Sequence, residues 1–134
     1  MRRAVLYSDG ASSGNPGESG IGVVLTFGKR VFEISEYIGI ATNNVAEYRA
    51  LLRGLERARL LRADAVDAFL DSELLVRQIN GTYRVKDEKL KELWESAKTI
   101  ACSFKYFSIS HIPRELNQQA DRLAKKAIKG ARHE

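Results

Sequence analysis

Four carboxylates fall where an α/β chain builds reactive sites. Asp9 closes one short apolar run, Ala4 to Asp9, and Asp71 closes another, Val66 to Asp71. Glu47 lies in the first turn of one helical segment, and Asp121 lies within the last. In open α/β sheets, sites form outside the carboxyl ends of strands. Carboxylates gathered at such a rim repel one another unless a cation neutralises them. Hard oxygen ligands select Mg²⁺ or Mn²⁺, and two such ions about 4 Å apart are a device for cleaving phosphodiesters. Each acid also has a local reading. Asp9-Gly10 is turn chemistry, and Glu47 follows Asn44 at capping-box spacing. Asp71 or Ser72 suits a helix N-cap, and Asp121 stands four residues before Lys125.

The elements that must position these acids follow from patterning. Ala4–Asp9, Ile21–Phe27 and Arg30–Ile38 read as strands, with Gly10–Gly20 as a loop and Gly28-Lys29 as a tight connection. These links imply an antiparallel trio. Asn43 or Asn44 starts a helix reaching about Arg62, with Leu51, Leu52, Leu55 and Ala58 as its apolar stripe. Val66–Asp71 is a fourth strand, and Ser72–Asn80 a short helix stopped by Gly81. Asp87 starts a helix with Leu90, Leu93, Trp94, Ala97 and Ile100 on one face. Phe104–His111 is the last strand. Past Pro113, a final helix is expected from about Glu115 to Lys129, ending at Gly130. The order β-β-β-α-β-α-α-β-α predicts a mixed five-stranded α/β sheet, three antiparallel strands and then two parallel ones, with helices on both faces.

Composition sets the frame. The chain has 134 residues, the size of a single domain, spanning 1–134. It is 44% hydrophobic and 29% charged, as folded soluble domains are. The formal net charge of +5 suggests an acidic partner, nucleic acid first. Cys102 is the only cysteine, which excludes an intrachain disulfide and a cysteine-rich zinc site. Beside Ile100, Ala101 and Phe104 it is expected to be a buried, inert thiol. No apolar run has the length of a membrane span, and the N-terminal apolar stretch is too short for a signal peptide. A cytoplasmic location with no membrane contact is expected.

The local sequences around the acids are specific. Tyr7-Ser8-Asp9-Gly10-Ala11-Ser12-Ser13-Gly14-Asn15-Pro16-Gly17 resembles the first motif of type 1 ribonuclease H. Thr42-Asn43-Asn44-Val45-Ala46-Glu47 resembles the second, and Leu70-Asp71-Ser72 the third. The segment from His111-Ile112-Pro113-Arg114 through Asn117 to Asp121-Arg122-Leu123-Ala124 resembles the fourth. The likeness covers essentially the whole chain, in order.

This resemblance implies the ribonuclease H-like fold and hydrolysis of the RNA strand of RNA–DNA hybrids with two Mg²⁺ ions, Mn²⁺ being an alternative. The expected ends are 5′-phosphate and 3′-hydroxyl. By motif position, Asp9, Glu47, Asp71 and Asp121 become the metal ligands. A histidine ten residues before the last aspartate assists proton transfer or product release in many members, and His111 has that spacing. Arg114, seven before Asp121, is the alternative auxiliary residue. Gly14 and Asn15 suit recognition of the 2′-OH, as do Asn43 and Asn44, while Thr42 suits a DNA phosphate. Ser72 adjoins the third motif. Asn117, one turn before Asp121, is expected to orient a ligand or contact substrate.

One departure concerns grip. Many relatives carry a basic helical protrusion, whereas residues 82–98 here hold five basic and four acidic side chains. The chain is similar to the short, handle-less branch. Arg84 and Lys86, with Tyr83, are the expected DNA-strand contacts. Lys125, Lys126, Lys129 and Arg132 add phosphate attraction. Arg49, Arg53 and Arg57 fit a solvated helix face better than a binding stripe. Glu73 adds an acid near the third motif. The partner is an RNA–DNA hybrid, and the chain is expected to act as a monomer. The competing readings are a same-fold nuclease that also cuts double-stranded RNA, one that cuts DNA, a nucleic-acid-binding module on this scaffold, and a domain of a reverse transcriptase.

Overall fold

The computed structural model describes residues 1–132, except the side chain of Arg132. The strands are β1 (Arg3–Ser12), β2 (Gly17–Phe27), β3 (Arg30–Ala41), β4 (Ala65–Leu70) and β5 (Tyr106–His111). The helices are α1 (Asn43–Leu60), α2 (Glu73–Ile79), α3 (Glu88–Ala101) and α4 (Gln118–Arg132), the last preceded by a 3₁₀ turn at Arg114–Leu116. The sheet order is β3-β2-β1-β4-β5. β1, β2 and β3 pair antiparallel, while β1–β4 and β4–β5 pair parallel, as the element order predicts. Among the described residues no helix is long and apolar enough to cross a membrane.

Two close approaches fix the helices that carry acids. β1 alternates, so Leu6 and Gly10 share the face covered by α1. A Cβ on Gly10 would run into the Ala46 carbonyl carbon and the Glu47 amide, so glycine here lets the start of α1 lie directly on β1. On the opposite face, a Cβ on Gly22 would meet the carbonyl oxygen of Ala120, so α4 rests on β2 at backbone distance. Asp9 pairs in register with Gly22 and therefore faces α4. The core lies on the α1 side. Leu6, Leu25, Leu51, Leu55 and Val66 are fully buried there, and each such Leu stabilises the fold by roughly 2 kcal/mol.

Several boundaries differ from expectation. The glycine-rich stretch Gly10–Gly20 is mostly strand, because β1 runs on to Ser12 and pairs with β2 as far as Ser19. The connection shrinks to residues 13–16, with a cis peptide at Asn15-Pro16. α4 passes through Gly130 instead of ending there, and it begins at Gln118, three residues later than expected. Cys102 is exposed, not buried, because it is the C-cap residue of α3. Arg53 makes a bidentate ion pair with Glu36, and Arg57 lies over the Phe32 ring, so the α1 arginines clamp β3.

Candidate active site

The parallel β1–β4 ladder ends at the pair Tyr7–Phe69, whose rings stack with centroids 5.3 Å apart. Asp9 and Asp71 each follow two residues later, so the register delivers both carboxylates to one rim. Glu47 arrives on the first turns of α1, which starts cleanly because the Thr42 hydroxyl accepts from the Val45 amide at 3.2 Å. Oxygen atoms of Asp9, Glu47 and Asp71 lie within 4.8 Å of one another.

Asp121, in the first turn of α4, reaches the same cavity of about 540 Å³. Its side chain hydrogen-bonds Asp9 and also pairs with Lys125 at 3.0 Å, the local reading expected of that spacing. Arg114 and Lys125 are the two cations lining this cavity. Lys125 was legible in the sequence as an i,i+4 partner of Asp121 and as one of several tail cations attracting phosphate, and nothing there set it in the cavity wall.

The electrostatics follow from crowding. Asp9 is 8% exposed. Burial first, then the charge of Asp71, the contact with Asp121 and the charge of Glu47, push its carboxyl up to about 8. Burial pushes Glu47 up to about 7, with Asp71 adding to the rise and a hydrogen bond with Ser72 pulling it back. The Ser72 oxygen also accepts from the Leu75 amide at 3.3 Å, so one hydroxyl caps α2 and holds Glu47. Three convergent, purely oxygen donor groups, two of them reluctant to ionise alone, fit a hard divalent cation. Among the described residues they form the one such group.

The remaining candidates divide by place. Asn43 and Ser72 line the acid cavity. The Asn43 amide donates to the Asn15 side chain at 3.1 Å, tying the loop that holds Gly14 to the start of α1. Asn15, Asn43 and Asn44 are exposed, and Thr42 is half-buried as the N-cap. Arg84 and Lys86 are exposed on the segment between α2 and α3, outside the acid cavity. Asn117 is 2% exposed and donates to the Ser8 carbonyl at 2.9 Å, so it braces α4 against β1 from beneath and presents no surface to substrate. Glu73 is engaged by Arg77 at 2.9 Å.

His111 and Arg114 separate clearly. His111 is the final residue of β5 and shares the strand face of Phe107 and Ile109, which pack into the core. Tyr7 and Asp9 lie on the other face of the sheet. His111 is exposed and does not line the acid cavity. Arg114, on the 3₁₀ turn before α4, does.

Comparison with known proteins adds an independent line. Residues 7–127 match the family model described as reverse transcriptase-like. The ribonuclease H of Prosthecochloris aestuarii is 34% identical, over 98% of this chain and 99% of that protein. The bifunctional protein Rv2228c of Mycobacterium tuberculosis is 39% identical over 96% of this chain, which spans only 36% of its length. Among solved structures, LC11-RNase H1, isolated from compost by a metagenomic approach, superimposes with a TM-score of 0.88 at 43% identity. That match covers 96% of this chain and 98% of the other, which was solved in complex with RNA/DNA hybrid.

Proposed function

Because the chain belongs to the ribonuclease H family, we propose that it is an endoribonuclease that hydrolyses the RNA strand of RNA–DNA hybrids. The observation that carries this reading is the convergence of Asp9, Glu47 and Asp71 oxygens within 4.8 Å, in a cavity that Arg114 and Asp121 share. The 134 residues act as one catalytic domain, in a cytoplasmic setting.

Asp9, Glu47 and Asp71 hold divalent cations, with Asp121 completing the set. When bound, a pair of Mg²⁺ ions (or Mn²⁺) supplies water activation and stabilisation of the departing 3′ oxygen, leaving a 5′-phosphate. The protein's own groups do the rest. Ser72 fixes the Glu47 carboxylate by its hydrogen bond. Arg114 offers a guanidinium to the negative charge that builds on the phosphate. Asn15 and Asn43, joined at the mouth of the cavity, supply amide donors and acceptors that distinguish a ribose 2′-OH from deoxyribose. Arg84 and Lys86 contact the DNA strand, Thr42 at the N-cap of α1 holds a DNA phosphate, and Asn44 joins Asn43 in reading the 2′-OH.

The test is incubation of the protein with labelled hybrid, RNA duplex and DNA duplex, each with Mg²⁺, Mn²⁺ or chelator. Cleavage confined to the RNA strand and abolished by chelator is expected. Equal cutting of RNA duplex would widen the substrate class, and metal-independent cutting would overturn the reading.

A further inference from the structure

α4 presents two unlike faces. Ala120, Ala124 and Ile128 are buried on the sheet. Beside them, Gln119 donates to Glu33 at 2.5 Å and the Leu123 carbonyl accepts from Ser35 at 2.6 Å, so this edge is tied to β3. What remains outward is Arg122, Lys125, Lys126 and Lys129, all exposed. They wall a groove of about 660 Å³ along the helix, in which Glu115 and Asp121 are the only acids among the described residues. Lys125 is engaged by Asp121, whereas Arg122, Lys126 and Lys129 have no ion pair among the described residues. Arg114, Asp121 and Lys125 line both this groove and the acid cavity, so the two are continuous.

Resting on the hybrid-nuclease reading above, we propose that the α4 groove binds the phosphodiester backbone of the strand being cut, beyond the scissile bond. The strand whose phosphate reaches the carboxylates must leave the acid cavity, and this basic wall shares three residues with it. From Arg122 to Lys129 the helix rises about 10 Å, the axial length of roughly three nucleotides. Residues 82–98, with five basic and four acidic side chains, give little general attraction. The groove therefore supplies grip where a basic protrusion is lacking, and it does so on the cut strand.

The experiment uses Lys126→Glu/Lys129→Glu, with Lys29→Glu/Arg59→Glu as a charge-matched control at the far end of the sheet. The substrate is a hybrid whose cut strand carries a central ribonucleotide block within DNA. The groove variant should raise KM about tenfold at moderate salt and lower the salt slope by roughly one for each phosphate no longer neutralised. The control should shift KM less than twofold. Neutral methylphosphonate linkages beside the block in the cut strand should weaken the wild type and make the variant's further loss vanish. The same linkages in the complementary strand should leave that loss intact. A groove variant with wild-type KM, or non-additivity with the complementary strand, overturns the proposal. Hybrid affinity by fluorescence anisotropy in the Asp71→Asn background reads the groove without turnover. A protein that binds hybrid through Lys126 and Lys129 but does not cut it would refute the nuclease reading alone.

Discussion

Asp9 and Asp71 stand at equal distances, two residues each, past Tyr7 and Phe69, the last pair of the parallel β1–β4 ladder. One register thus sets both carboxylates, and slipping it by a residue would turn them to opposite faces. The Tyr7 and Phe69 rings stack two residues before them, with centroids 5.3 Å apart, so the two strands stay in contact up to the rim. Their repulsion is therefore a built-in property of the native state.

That repulsion predicts how stability varies with pH. Asp9 titrates at about 8 and Glu47 at about 7 in the folded protein, and both near 4 once unfolded. Between these limits the native state holds protons that the unfolded chain has released. The stabilisation is complete below about pH 4 and is lost as pH rises through 7 and 8. Asp64 and Asp67, both lowered, act in the opposite sense but below pH 4. In chelator, the melting temperature should fall from pH 5 to pH 8.5. If the proposed site takes Mg²⁺ or Mn²⁺ in the native state alone, saturating metal should remove most of that slope. A flat or rising profile in chelator would contradict the crowded-carboxylate account.

Ser72 carries two loads, so its removal should show two effects. Ser72→Ala deletes the α2 cap, a loss of about 1 kcal/mol in calorimetry. It also removes the hydrogen bond that lowers the Glu47 pKa, so the acidic limb of the kcat/KM profile should move to higher pH. Ser72→Thr should restore both. A stability loss with an unmoved pH limb would show that the hydroxyl only caps.

Arg114 and His111 should differ sharply. Arg114→Ala should lower kcat/KM by about a hundredfold, the scale of losing one charge-stabilising donor. His111→Ala should change it less than about threefold, since its side chain lies on the other face of the sheet. Steady-state kinetics of the pair decides the matter. A large, pH-dependent loss for His111→Ala would mean that the side chain swings to the site when substrate binds.

Much of this was legible in the sequence, and what was not has physical reasons. The four acids, the element order and the mixed sheet follow from strand-end carboxylates and from a change of hydrophobic period. The residues Gly10 to Gly20 read as loop because Gly and Ser are poor strand formers. Here antiparallel pairing overrides propensity, and Gly10 and Gly22 are required by the helices lying on them. Asn117 reads as a residue that orients a ligand or contacts substrate, but α4 starts so close to β1 that its side chain is drawn beneath to the Ser8 carbonyl. Cys102 has apolar neighbours in sequence, yet a C-cap position turns it outward. The dual role of Ser72 and the presence of Lys125 in the cavity depend on the meeting of separate elements, which spacing within one element does not reveal.

In the proposed mechanism the carboxylates act on the RNA strand through a bound divalent cation. The decisive measurement is single-turnover cleavage of labelled hybrid by wild type and Asp71→Asn, each with saturating Mg²⁺. The wild type should cleave the RNA strand, and the variant should lose at least about a thousandfold in rate. The Asp71→Asn protein should still fold, and its melting temperature in chelator at pH 8 should equal or exceed that of the wild type, because one repelling charge is gone. A folded Asp71→Asn protein that cuts hybrid at the wild-type rate would rule out metal-dependent cleavage at these carboxylates.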